Sequence, residues 1–145
     1  MSNENPKHMT QFESSVKIVP YGQECVYTKL SDLNHIENVK EKIPQDKIEN
    51  LTFDADTLSL NVASVGKLIL KIIEREPPKC IKFETVQSPI PFNLWIQLLP
   101  VSEEKCKIKL TLHAEINIFM KGIIQKPLKE GLEKMVETLA TIQYE

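Results

Sequence analysis

From Cys106 to Ile116 every second residue is apolar. Cys106, Ile108, Leu110, Leu112, Ala114 and Ile116 share one side, and Lys107, Lys109, Thr111, His113 and Glu115 share the other. A strand sends alternate side chains to opposite faces, so this strand has a dry face and a wet face, the pattern of an antiparallel sheet. The chain runs straight on into "EINIFMKGIIQKPLKEGLEKMVETLATI", residues 115–142. There Ile124, Leu128, Leu132, Met135, Leu139 and Ile142 recur at steps of 4, 4, 3, 4 and 3, one stripe of helical period. Lys126, Lys129, Glu130, Glu133, Lys134 and Glu137 fill the other faces. A sheet with one apolar face and a helix with one apolar stripe bury most surface by closing on each other.

Two features disturb that helix. Gly122 weakens its start, and Pro127 would cost ~3 kcal/mol deep inside a regular helix. Pro127 is therefore expected at a kink, or in the first turn with Lys126 just before it. Asn117 is the expected turn residue between strand and helix.

The rest of the chain supplies the sheet. Residues 10–20 read as strand 1, ended by Pro20. In residues 21–44, Val26, Leu30, Leu33, Ile36 and Val39 keep the helical period, with a break and a fresh N-cap at Ser31 or Asp32. Two short helices, over residues 22–30 and 33–42, are predicted, stopped before Pro44. "KIENLTFDADTLSLNV" gives two strands about a turn at residues 54–56. A turn at Gly66, a strand to Glu76, a break at Pro77–Pro78 and another strand follow. "FNLWIQLLPV" is the next strand and "SEEK" the turn into the last. The expectation is seven antiparallel strands in all, curved around the C-terminal helix, with the two short helices after strand 1 plugging one end. Residues 1–9 are read as a loose polar tail, with the native start at Met1 or Met9, and residues 10–145 as one domain.

Composition excludes several classes. Of 145 residues, 41% are hydrophobic and 26% charged, which suits a globular domain with a substantial core. A net charge of −2 lacks the basic excess expected of a nucleic-acid binder. No window approaches the ~18 apolar residues of a membrane span, and the helix carries both charge signs beside a narrow stripe, so stable membrane insertion is not expected. Three scattered cysteines, Cys25, Cys80 and Cys106, fit reduced thiols in a cytoplasmic protein.

The element order and the stretches "SDLNHIENV", "KIIEREPPKCIKFE", "PFNLWIQLLPV" and "LTLHAEINIFMKGIIQKPLKEGLEKM" resemble bacterial members of the SRPBCC superfamily. These are the START-like and polyketide-cyclase-like proteins that share the Bet v 1 helix-grip fold. The resemblance covers about residues 10–142, and its C-terminal block is the most specific part. It implies an α+β helix-grip domain with a hydrophobic cavity between sheet and helix that holds lipids, polyketides or other apolar molecules. The superfamily also contains cyclases, dehydratases and Rieske oxygenase domains, so the fold alone does not fix the function.

No catalytic constellation is organised in the sequence. His8, His35 and His113 do not lie at ligand spacing, and no metal site or cofactor is expected. No Cys-x-His pattern could hold a Rieske cluster, no Gly-x-Ser-x-Gly is present, and the four glycines never cluster into a phosphate loop. Cys25 and His35 have no reason to meet across a helix break. Acid–base candidates are Glu13, Tyr27, Asp54, Glu84 and Glu115. By alternation Glu84 and Glu115 fall on wet faces. Tyr27 is either a packing tyrosine or a hydroxyl at the cavity mouth. The Trp95 strand is apolar on both sides, so Trp95 faces the cavity or an outer contact surface, and periodicity does not decide.

The expected function is binding of a hydrophobic small molecule or lipid without catalysis, with a cyclase- or dehydratase-type enzyme as the alternative. The ligand-contact candidates are Leu30, Leu33, Phe53, Leu60, Leu70, Phe83, Leu94, Ile96, Leu110, Leu112, Met120, Ile123, Ile124, Leu128 and Met135. Of these, Met120, Ile123 and Ile124 stand where a helix-grip pocket would open, and the adaptable thioethers suit varied apolar shapes.

Overall fold

The computed structural model describes residues 7–34, 48–62 and 66–144. The elements in chain order are β1 (Lys7–Glu13), β2 (Lys17–Val19), α1 (Gln23–Leu30), β3 (Ile48–Phe53), β4 (Thr57–Val62), β5 (Gly66–Glu76), β6 (Cys80–Gln87), β7 (Phe92–Ser102), β8 (Lys105–Asn117) and α2 (Lys121–Ala140). All strand pairs are antiparallel, in the order β1-β8-β7-β6-β5-β4-β3, with β2 also on β8. The first and last strands therefore lie side by side, and the sheet curves around α2.

Expected strand 1 is two strands, which brings the sheet to eight. It starts at Lys7 and breaks at residues 14–16. The register shows why: Glu13 pairs with Thr111, but Lys17 pairs with Ile108, a slip of one residue. The Ser14 hydroxyl accepts from the Leu110 amide, replacing a ladder carbonyl. Ser15 then turns to α2, where its amide (2.9 Å) and its hydroxyl both donate to the Glu133 carboxylate. Ser14 still donates its amide to the Leu110 carbonyl at 2.9 Å, and the chain then leaves the ladder to tie the sheet to the helix.

α1 forms as expected. At the expected break Asp32 Oδ1 accepts from the Asn34 amide at 3.0 Å. The remainder of the second predicted helix, residues 35–42, lies outside the described residues. The turn at Asp54 is an Asx turn: Asp54 Oδ1 accepts from the amides of Asp56 and Thr57. Residues 77–79 form the β5–β6 turn, with a cis Pro77–Pro78 peptide.

α2 begins at Lys121 and runs through both Gly122 and Pro127, so Pro127 lies inside the helix and past its first turn. Asn117 sets the entry, its carbonyl accepting from the Met120 amide and its Oδ1 from the Phe119 amide. The stripe is Leu132, Val136, Leu139 and Ile142 on the core, with Ile124 and Leu128 half-buried against it. Met135, expected on that stripe, is instead 40% exposed. Period 3.6 allows either residue 135 or 136 to follow Leu132 inward; Val136 is the one buried, and Glu133 on the neighbouring flank receives the Ser15 donors.

Candidate functional site: the concave face of the sheet

Inward residues form rows across the sheet. Phe12, Leu112, Leu94 and Phe83 sit in paired register, as do Leu110, Ile96 and Ile81 one step along. All are buried and belong to a single core cluster. Leu98 and Ile108 make the next row, beside the start of α1, and both are buried. In the opposite direction the rows end in Phe92, Leu70, Leu58, Phe53, Leu68 and Ile90, most of them only half-buried.

The groove thus has two ends. The closed end is built by α1, β2 and the C-terminal residues. Gly22 meets the Glu103 carbonyl so closely that a Cβ there would lie 2.3 Å from it. Gln23 Nε2 donates to the Leu98 carbonyl at 3.0 Å. Cys25 Sγ donates to the Tyr144 carbonyl at 2.9 Å. The Tyr144 ring is buried, its hydroxyl donates to the Leu139 carbonyl at 2.5 Å, and its edge meets Tyr21. Burial pushes this phenol far above its ordinary pKa. Tyr144 lies beyond the last stripe residue, Ile142, and helical periodicity could not have found it; an aromatic just after a helix end was the available signal.

The open end lies at the N-terminus of α2. Phe119 is 82% exposed, Ile123 74% and Met120 44%, and Ile118 beside them is also exposed. α2 makes its close backbone approaches to β8, β2 and β1. The inner apolar residues of β3 to β6 lie on the other half of the sheet.

The predicted contact residues divide accordingly. Leu30, Leu33, Leu70, Phe83, Leu94, Ile96, Leu110 and Leu112 come together in the buried cluster, with Phe53, Ile124 and Leu128 half-buried against it. Leu60 is buried on β4. Met120, Ile123 and Met135 are on the surface.

The polar candidates separate by face. Glu13 pairs with Lys109 on the outer face, which holds its carboxyl below the ordinary value, with help from Gln11. Glu84 and Glu115 are exposed on the same face, as alternation required. Trp95 pairs in register with Thr111 and faces outward, its ring edge-on to His113 at 4.6 Å and under the Lys82 ammonium at 4.9 Å. His113 Nε2 lies 2.8 Å from Gln11 Oε1. A shallow cleft of about 280 Å³ on this side is lined by Met9, Phe92, His113, Glu115 and neighbours. Asp54 belongs to its turn. His35 lies outside the described residues. Among the described residues no three His, Cys, Asp or Glu converge as metal ligands. All three cysteines are free, and burial raises the pKa of Cys80 and Cys106.

Tyr27 alone of the acid–base candidates turns inward. It is 8% exposed, and its hydroxyl is buried without a hydrogen-bond partner among the described residues. Burial raises its pKa, opposed by the nearby Arg75 guanidinium.

Several solved structures share this architecture. Norcoclaurine synthase from Thalictrum flavum superposes with a TM-score of 0.74 at 14% identity, over 94% of this chain and 88% of that one. The chain has the helix-grip fold of the START-like and Bet v 1-like proteins. A START superfamily protein from Mycobacterium smegmatis gives a TM-score of 0.57 at 16% identity, over 91% and 99% of the two chains. A Thermus thermophilus protein gives 0.63 at 19%, over 90% and 94%. No protein-family profile and no curated protein matches the sequence. Identities this low speak for the fold and leave the chemistry to the site.

Proposed function

We propose that this helix-grip domain holds a hydrophobic small molecule or lipid between the concave sheet face and α2, entering at the N-terminal end of the helix. One observation carries the reading. The inner residues at that end, Phe53, Leu58, Leu68, Phe92, Ile124 and Leu128, are apolar but only half-buried. At about 25 cal/mol per Å² of apolar surface, covering them further favours an apolar guest. Solved START-like and Bet v 1-like neighbours add support at the level of fold. The ligand-contact set read from the sequence is kept for this site, with Met120 and Ile123 at its rim. We assign it no metal, cofactor or nucleic acid. Its working place is the cytoplasm, in keeping with three free thiols, and no described helix is long and apolar enough to cross a membrane.

Native mass spectrometry of protein from its own host should reveal a co-purifying apolar molecule. A polarity-sensitive fluorescent fatty acid should bind and be displaced by it. Failure of every lipid class to bind or displace would remove this reading.

A second reading rests on Tyr27. A cyclase- or dehydratase-type enzyme acting on a polyketide-like substrate in the same interior would use that buried phenol as its acid. Conversion of the co-purifying molecule by wild-type protein, lost in Tyr27→Phe, would decide for it.

A further inference from the structure

The molecule contains two buried tyrosines whose surroundings differ in one respect. Tyr144 and Tyr27 are both more than nine-tenths buried. The Tyr144 hydroxyl donates to the Leu139 carbonyl, whereas the Tyr27 hydroxyl meets no partner among the described residues. The other buried polar side chains among the described residues are satisfied. Ser14 Oγ donates to the Ser15 carbonyl and accepts from Leu110, and Thr111 Oγ1 donates to Gln97. A buried hydroxyl that forgoes its hydrogen bond destabilises the fold, and buried tyrosines normally find a partner. Tyr27 departs from that rule within the same core cluster that lines the proposed site.

Its position is also fixed. Tyr27 projects from α1 together with Val26 and Leu30, all three buried. α1 is held at its start by Gly22 against Glu103 and by Gln23 on Leu98. At its end the Ser31 carbonyl accepts from Arg75 Nε at 2.8 Å, and the Leu33 amide donates to the Ala55 carbonyl at 3.0 Å. With both ends tied, the helix cannot roll to bring the phenol to water without breaking these contacts. The field at the hydroxyl has a definite sign. Arg75, which also holds Asp56 at 2.5 Å, is the charged side chain that bears on it most, and its positive charge favours an oxygen acceptor over a donor. The phenol is neutral near pH 7 and so can donate.

Resting on the hydrophobic-binder reading, we infer that the Tyr27 hydroxyl is the polar anchor of the site and donates a hydrogen bond to a single oxygen acceptor on an otherwise apolar ligand. The ligand class is an acyl chain or ring system with one carboxylate or carbonyl oxygen at its leading end. That end lies deep, toward α1 and the β5–β6 hairpin, and the hydrocarbon trails toward the N-terminus of α2. A pure hydrocarbon fits the walls but leaves the hydroxyl unsatisfied.

Two fluorescent probes separate these cases. Parinaric acid carries a carboxylate; diphenylhexatriene is a hydrocarbon rod. In Tyr27→Phe, parinarate affinity should fall about tenfold, the worth of a hydrogen bond to a charged acceptor, while diphenylhexatriene affinity stays within twofold. The unliganded variant should melt at the same temperature or about 2–4 °C higher, because an unsatisfied hydroxyl has been removed. Tyr144→Phe is the control: its hydroxyl is already bonded, so it should melt lower and leave the ratio of the two affinities unchanged. An unchanged parinarate affinity in Tyr27→Phe overturns the anchor. So does a fall in its unliganded melting temperature matching that of Tyr144→Phe, which would mean the hydroxyl is satisfied within the folded protein. If wild-type protein binds neither probe, the hydrophobic-binder reading fails first and the anchor with it. If it binds both and Tyr27→Phe leaves their ratio alone, only the anchor fails.

Discussion

The two ends of the groove are made from the same kinds of residue and behave differently. At the closed end, Val19, Leu98, Ile108, Val136 and Tyr144 are buried almost completely, and backbone and side-chain bonds from three separate segments lock around them. At the open end, Phe92, Ile124 and Leu128 are half-buried, and Phe119 and Ile123 face solvent. Hydrophobicity alone therefore does not say where a core will be tight. The difference lies in what crosses the ends of the rows: among the described residues α1 and the C-terminal segment close one, and only the first turns of α2 stand at the other. Stability is expected to reside at the closed end and ligand access at the open one.

The largest test of that division compares two leucine-sized deletions. Ile108→Ala, at the closed end, should cost about 3–4 kcal/mol in urea unfolding, near the middle of the range for buried aliphatic truncations. Leu128→Ala, on the half-buried side of α2, should cost about 1 kcal/mol. Equal losses would erase the contrast.

A smaller effect is expected where the two halves are tied. Glu133 receives both donors of Ser15, and these bonds, with Lys17 nearby, hold its carboxyl below the ordinary value. The sign follows from linkage: with the folded pKa lowered, the stabilisation is present above the unfolded value of about 4.3 and is lost as pH falls through the folded one. Glu133→Gln should lower stability at pH 7 by about 1 kcal/mol, discounted for exposure. It should also flatten the loss of stability below about pH 4.3. A variant with an unchanged pH profile would show that the tie contributes nothing.

The smallest expected change in stability is at the rim. Ile123→Ser should leave unfolding within about 0.5 kcal/mol of wild type, since the side chain is already in water. It should weaken or slow binding of the fluorescent fatty acid, read by titration and stopped flow. A large stability loss would mean that Ile123 packs in solution and that the end is not open.

What could be read from the sequence follows these same contrasts. The alternation in β8 named its buried face without error, because one side is wholly apolar and the other wholly polar or charged. The β7 strand could not be read that way: Trp95 sits between Leu94 and Ile96, and only register settles it, through Leu94 opposite Leu112 and Trp95 opposite Thr111. The break in strand 1 depends on a serine hydroxyl standing in for a ladder carbonyl, which no propensity signals. The choice between Met135 and Val136 is made by how the helix packs on the sheet, where Val136 is fully buried, and the helical period allows either. Tyr27 was visible as a candidate, but its lack of a partner is a property of three-dimensional neighbours. Local pattern carried the architecture; tertiary contacts carried the details of the site.

Pro127 has a mechanical consequence. A proline has no amide to give, so the Ile123 carbonyl, four residues earlier, goes without its usual helical donor. One rung of the α2 ladder is thus absent, one turn in from the entrance. The residues ahead of it can fray while Leu132, Val136 and Leu139 keep their grip on the sheet. The helix behaves as a rigid bar with a softened tip, and opening the doorway need not loosen the wall.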